Sequence, residues 1–445
     1  MRRSFECSVR GADVRYEFQP LSVRVGALRK RNPIIEARDL QHRQLDGSVA
    51  TIARQLPEPG DAKTRDGRWA YGSRDRLPAS PLRWARAAQP AIFGLIPAAV
   101  LLWLLWPAPN GLAVDLHHAF RPAAQAVLAG HSPYPPPTAD AVATRTGFVY
   151  LPFASFLFLP FALMPPLAAE LVGTVLVVAA GAAALWILGV RDWRCYGVAL
   201  ACTPVLSAIE TANLTLPLVL ALAVVWVVRG RAITPGVVLA LTLGTKLFLW
   251  PVAVWFLATR RYRAAATTVA TTIFLIVGAW ALLGFSGARE YPKLLRVLSA
   301  ALGPDSYTPF ALSTDLGAPE TVARAVGLIL ATAALVACWI LGRRGDERRS
   351  FTFAIVAALL FTPIVWLHYF ALLVVPIAIV HRRLSWLWAT PLLLWFFPAG
   401  SGNGTTLQTA LTLITVASVV GLSLRLNERG EPTWSVDAAV ATAPP

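Results

Sequence analysis

The chain has 445 residues, 56% of them hydrophobic, 14% charged and 16 of them Trp, which is more apolar surface than a soluble protein of this size can bury. Composition therefore excludes an ordinary soluble domain and predicts an integral membrane protein. The net charge of +16 does not point to nucleic acid: residues 1–86 alone hold 18 Lys/Arg against 10 Asp/Glu, and the remaining excess sits in short runs between apolar segments, where it records membrane orientation.

Residues 1–86 show no apolar period and no signal-peptide pattern, and they are rich in Arg, Pro and polar residues, which predicts a disordered basic cytoplasmic leader. Residues 87–427 read as one membrane-embedded domain, and residues 428–445 as a short disordered tail. Cys7, Cys195, Cys202 and Cys338 have neither paired nor metal-ligand spacing and read as packing residues.

The apolar segments begin at Ala91, and the first ends at GLAVDLHHAF, Gly111–Phe120, where one carboxylate stands beside two imidazoles. Asp115 has two readings here. It caps an interfacial helix or pairs with Arg121, or it is held ionised beside cations and accepts a proton from a hydroxyl nucleophile. His117 and His118 are neighbours, about 100 degrees apart on a helix, a poor arrangement for one metal, and no metal or other cofactor is expected.

The basic runs at Arg191/Arg194, Arg229/Arg231, Arg260/Arg261/Arg263, Arg343/Arg344/Arg348/Arg349, Arg382/Arg383 and Arg425/Arg429 fix the threading if all face the cytoplasm. The stretch YLPFASFLFLPFALMPP, interrupted by Pro152 and Pro160, reads as re-entrant or interfacial, and the apolar run after it as a true span. ETAN, Glu210–Asn213, divides the next interval into two short spans. Residues 234–258 carry Lys246 at their middle, in LGTKLFLWP; two short helices turning near the lysine satisfy the charge rule, and one long tilted helix breaks it.

Further spans are expected at about 264–284, 321–342, within 351–380 with a turn at TPIVWLHYF, and at about 384–397 and 406–425. The result is an all-α polytopic protein of about twelve crossings with both termini inside. Under this threading Asp115, His118, Arg121, Tyr134, Arg145, Glu210, Asn213, Lys246, Trp366 and His368 gather on the outer side. A charge at membrane depth costs several kcal/mol, so Glu210 and Lys246 should line a polar cavity. Lys246 needs an anionic partner, either Glu210 or a ligand phosphate; His118 and His368 either hydrogen-bond a phosphate or sugar or pack.

The ordered series AVDLHHAF, VLAGHSPYPPP, FVYLPFASFLFLPFALMPP, ETANLTLPLVLALAVVWVVRGR, GVVLALTLGTKLFLWPVAVWFLATRRYRAA and TPIVWLHYFALLVVP resembles the integral-membrane glycosyltransferase family 87, GT-C type, which includes actinobacterial mannosyltransferases. The resemblance runs from about residue 111 to 380 and departs from the family pattern at ETAN, at TPIVW, at HY and in the long outer loop at Ser306–Asp315. It implies an inverting enzyme of the plasma membrane that takes a hexosyl group, usually mannose, from a polyprenyl-phosphate sugar on the outer face. The acceptor would be an envelope lipid or glycan, and Asp115 the base. Membrane lipids are the remaining expected partners. The rival class is a transporter or flippase of a lipid-linked envelope precursor, because polar residues within spans also mark translocation paths.

Overall fold

The computed structural model describes residues 88–105, 113–143, 147–396 and 405–425. The expected leader (1–86), the C-terminal tail (428–445) and Arg145 lie outside the described residues, as does Cys7. The described part is helical throughout, with no strand.

A π-helical turn, Ala91–Leu95, leads into α1, Ile96–Leu105. A second, Leu116–Phe120, leads into α2, Arg121–Leu128, followed by the short α3, Ala139–Ala143. The proline-broken stretch forms α4, Pro152–Leu157, and α5, Leu159–Ala162; neither is long enough to span a bilayer. The run after it becomes α6, Pro166–Ile187, a single helix of 22 residues. Next come α7, Trp193–Ala201, α8, Thr203–Thr211, and α9, Thr215–Val227. The chain turns by 117° between α8 and α9, at ETAN.

The helix over residues 234–258 breaks at Lys246: α10 covers Thr234–Thr245, Lys246 is extended, and α11 covers Pro251–Ala258. Pro251 favours a restart there, since its fixed φ suits a first helical turn and its missing N–H is not needed. Between the long helices α12, Tyr262–Leu282, and α15, Glu320–Arg343, lie two shorter ones in sequence, α13, Tyr291–Leu302, and α14, Pro309–Asp315. The chain ends with α16, Glu347–Phe361, a 3-10 segment Leu367–Leu373, α17, Val374–Val380, α18, Trp386–Ala389, a 3-10 segment Thr390–Phe396, and α19, Thr406–Arg425. In the stretch expected to span at about 384–397, the described residues form a four-residue helix and a 3-10 segment. Pro391, at the junction, offers no N–H for helix continuation.

Among the described residues four helices, α6, α12, α15 and α19, are long and apolar enough to cross a membrane, and the bent α8–α9 pair makes up to five. Their outer faces expose Leu171, Phe274, Ile329 and Ile414, a surface suited to lipid and costly in water. The centre is closed by Trp255, Phe256, Phe351 and Ile355, all fully buried. Helices approach closely where small residues allow it: a Cβ on Gly236 of α10 would stand 2.4 Å from the carbonyl oxygen of Ala264 on α12. Cys195, Cys202 and Cys338 are free and buried, as the packing reading expects.

Candidate active site

Four chain segments meet around Lys246. Thr245, the last residue of α10, offers its carbonyl to the Leu151 amide at 3.1 Å, which draws the 147–151 segment against the break. That places the ring of Tyr150 4.8 Å from the Lys246 ammonium. Phe248 and Tyr369 complete an aromatic box, with ring centroids 5.6 and 4.0 Å from the same nitrogen. The ammonium also donates to the Tyr369 hydroxyl. Aromatic faces and one hydroxyl attract a cation without neutralising it.

Asp115 arrives by a separate route. Ala113, two residues earlier, has φ +57°, and Ala212 in the ETAN turn has φ +46°; both are left-handed conformations that cost an alanine about 1–2 kcal/mol each. The Ala113 amide donates to the Glu210 carbonyl at 3.1 Å, so the two strained points are tied together. This hydrogen bond fixes the segment before Asp115 against the first residue of ETAN.

Asn213 is buried and anchored twice: its amide donates to Thr211 Oγ1 at 2.7 Å, and its Oδ1 accepts the Thr215 amide at 2.8 Å, capping α9. It also hydrogen-bonds the Asp115 carboxylate. Burial pushes the Asp115 pKa up from 3.8 to about 6, and the Lys246 charge and the Asn213 hydrogen bond pull it partly back. A carboxylate near 6 is mostly ionised at neutral pH yet basic enough to take a proton.

Asp115, Asn213 and Lys246 are therefore brought together, and His368 joins them from behind, buried, with its ring 4.9 Å from that of Tyr369. Two of the remaining candidates lie one layer out. Tyr134 donates to the Tyr150 carbonyl at 3.0 Å and stacks on Trp280 at 5.5 Å. Trp366 is half-buried against the core, immediately before the 3-10 segment that carries His368 and Tyr369.

Arg121 does not pair with Asp115; its Nη2 donates to the Met164 carbonyl at 3.2 Å. Asp115 makes no side-chain capping bond to the turn it precedes. His118 is exposed and meets the His117 ring at 4.6 Å, while His117 itself contacts Glu170 at 2.5 Å.

Glu210 is not the partner of Lys246: its side chain is exposed, and its contribution is the backbone carbonyl. The charge facing Lys246 is Asp115. Among the described residues the two are not joined by a direct ion pair. Tyr150 and Tyr369 are the members of the site that the sequence reading missed. The adjacency of Tyr369 to His368 in TPIVWLHYF was the available signal.

A carboxylate and an ammonium thus act on one another among apolar helices long enough to cross a membrane, the setting of a membrane-embedded protein. Residues 148–376, just over half of the chain, match the family model for glycosyltransferase family 87, and the chain belongs to that family. Tyr150, Asn213, Lys246 and Tyr369 fall within the matched stretch, and Asp115 precedes it. Among curated proteins and solved structures none matches the chain. The protein is a membrane glycosyltransferase, which requires a sugar donor and an acceptor; a transporter is not favoured.

Proposed function

We propose that the protein transfers a hexosyl group, mannosyl above all, from a polyprenyl-phosphate sugar to a lipid or glycan acceptor of the cell envelope. In this reading the domain crosses the plasma membrane about twelve times, shorter and broken helices included, with the Asp115 end on the extracytoplasmic side. One observation carries the chemistry: a carboxylate shifted toward neutrality and an ammonium boxed by aromatic rings act on one another within a common site.

The donor enters sideways from the bilayer, its prenyl chain remaining in lipid and its phosphate meeting Lys246. Asp115 takes the proton from an acceptor hydroxyl as the oxygen attacks the anomeric carbon. A new C–O bond forms with inversion; the bond between the anomeric carbon and the phosphate oxygen breaks, and its electron pair leaves with the prenyl phosphate. Lys246 is then opposite the growing negative charge, where fixed positive charge is most effective. Tyr369 orients the ammonium, Tyr150 offers a ring beside both charged groups, and Asn213 holds the carboxylate. His368, Trp366, Tyr134, Arg121, Glu210 and His118 are assigned to donor and acceptor binding, and Arg145 is assigned to the same role from the sequence alone.

Because the leaving group is a prenyl phosphomonoester and not a diphosphate, one ammonium supplies the counter-charge and no metal is required. The test is transfer from a prenyl-phosphate-linked hexose by the detergent-solubilised protein with chelator present. Sustained turnover without vesicles is expected. Folded protein that is inactive with every such donor, or activity abolished by chelator, would count against the reading.

A further inference from the structure

The helices that meet at Lys246 have their other ends at a second polar centre. α9 starts just after Asn213 and ends just before Arg229; α16 starts at Glu347 and ends near the segment that carries His368. The two ends of α9 are about 20 Å apart. At this far end is a cavity of about 440 Å³, bounded by the ends of α9, α16, α17 and α19.

Four arginines line it, Arg229, Arg348, Arg349 and Arg382, against two acidic residues, Asp346 and Glu347. Both carboxylates are engaged. Glu347 bridges Arg229 at 3.0 Å and Arg261 at 2.7 Å, while Asp346 pairs with Arg349 at 3.3 Å and caps α16 through the Arg349 amide at 3.1 Å. The cavity therefore carries a surplus of positive charge. Its remaining wall is apolar, with Trp226, Ile379 and Leu424, and Leu424 belongs to α19, a helix long enough to span the bilayer whose outer face exposes Leu407 and Ile414.

We propose that this cavity binds the phosphate headgroup of an anionic membrane phospholipid, the acyl chains running up the lipid-facing side of α19. Guanidinium groups match phosphate oxygens in geometry and charge, and a basic recess between the ends of membrane helices suits a headgroup better than a freely diffusing anion, because the apolar wall adds acyl contacts. The site is separate from the proposed catalytic centre. It holds together four helix ends, and two of those helices, α9 and α16, have opposite ends beside Asn213 and the segment of His368, so its occupancy stabilises the bundle without taking part in transfer.

The test uses the full chain in detergent, titrated with phosphatidylglycerol, with phosphatidylcholine and with inorganic phosphate, followed by native mass spectrometry and thermal melting. Phosphatidylglycerol should be retained and should raise the melting temperature, phosphatidylcholine and millimolar phosphate should not. Arg348→Glu should weaken phosphatidylglycerol binding about tenfold, while Arg324→Glu, at the other end of α15 and paired with Glu320, should leave it unchanged. If Arg348→Glu does not fold, Arg348→Gln should still show a reduction of several fold. Equal retention of both lipids, equal stabilisation by inorganic phosphate, or phosphatidylglycerol binding insensitive to Arg348 would overturn the assignment.

Discussion

The two ends of the helical bundle handle charge in opposite ways. At the Arg229 end each carboxylate has a guanidinium: Glu347 is shared by Arg229 and Arg261, and those two arginines lie over the rings of Trp226 and Trp255 at 4.1 and 5.2 Å. At the Lys246 end, the ammonium meets aromatic rings and a hydroxyl, and the carboxylate meets an amide. The first arrangement spends its charges on holding α9, α12 and α16 together. The second withholds them, accepting two left-handed alanines and a buried, half-compensated acid. Withheld charge is of use only when something else arrives to use it, and this difference separates the Glu347 bridge from the Asp115–Lys246 site.

The sharpest way to break the comparison is at Asp115. Asp115→Asn keeps the shape and the Asn213 contact but removes the base, and transfer should fall by about 100-fold or more. The same substitution should not destabilise the fold. The Asp115 pKa is raised in the folded state, so folding favours its protonated form, and the stability this gives is present at low pH and lost as pH rises from about 4 to about 6. At neutral pH the ionised carboxylate is thus a burden on the order of 3 kcal/mol, and the neutral amide should melt at an equal or higher temperature. Loss of activity together with loss of folding would return Asp115 to a structural role.

Lys246→Met comes next. It keeps the length of the side chain but removes the charge opposite the leaving phosphate, and transfer should fall by about 10- to 100-fold, seen in kcat more than in KM. Tyr369→Phe sharpens the picture, since it keeps the ring under the ammonium and deletes only the hydroxyl; a loss of a few fold is expected. A loss as large as that of Lys246→Met would mean that the hydroxyl, not the charge, is what matters. The smallest effect on turnover belongs to the other end. Glu347→Ala removes the bridge between Arg229 and Arg261 and should cost about 1 kcal/mol of stability, a fall of a few degrees in melting temperature, with turnover per folded molecule unchanged.

How far the sequence could be read follows from the same contrast. Lys246, Asn213 and Asp115 were legible because each is a polar interruption in an apolar run, and such interruptions in a membrane chain call for an explanation. The helix break at Lys246 was legible for the same reason, as were α6, α12, α15 and α19 from their lengths. Tyr150 and Tyr369 were not, because an aromatic residue in an apolar run looks like packing until the fold shows which ring lies under a cation. Glu210 misled in the opposite sense: it stands out as a charge, yet the structure uses its carbonyl, and no side-chain pattern encodes that. Arg121 likewise invited a pair with Asp115, but the turn through Phe120 leads its guanidinium to Met164. The stretch 384–397 has the composition of a span, but Pro391 interrupts it, and composition alone does not weigh one missing N–H against many apolar side chains.

The central claim, that Asp115 works as a base within reach of the Lys246 charge, is tested most directly by the pH dependence of kcat/KM in the wild type and in Lys246→Met. The wild type should lose activity on acidification with an apparent pKa of about 6, and Lys246→Met, having lost the charge that favours the ionised carboxylate, should show the same limb at higher pH. A wild-type profile flat between pH 5 and 8, or a limb that does not move in Lys246→Met, would contradict the account.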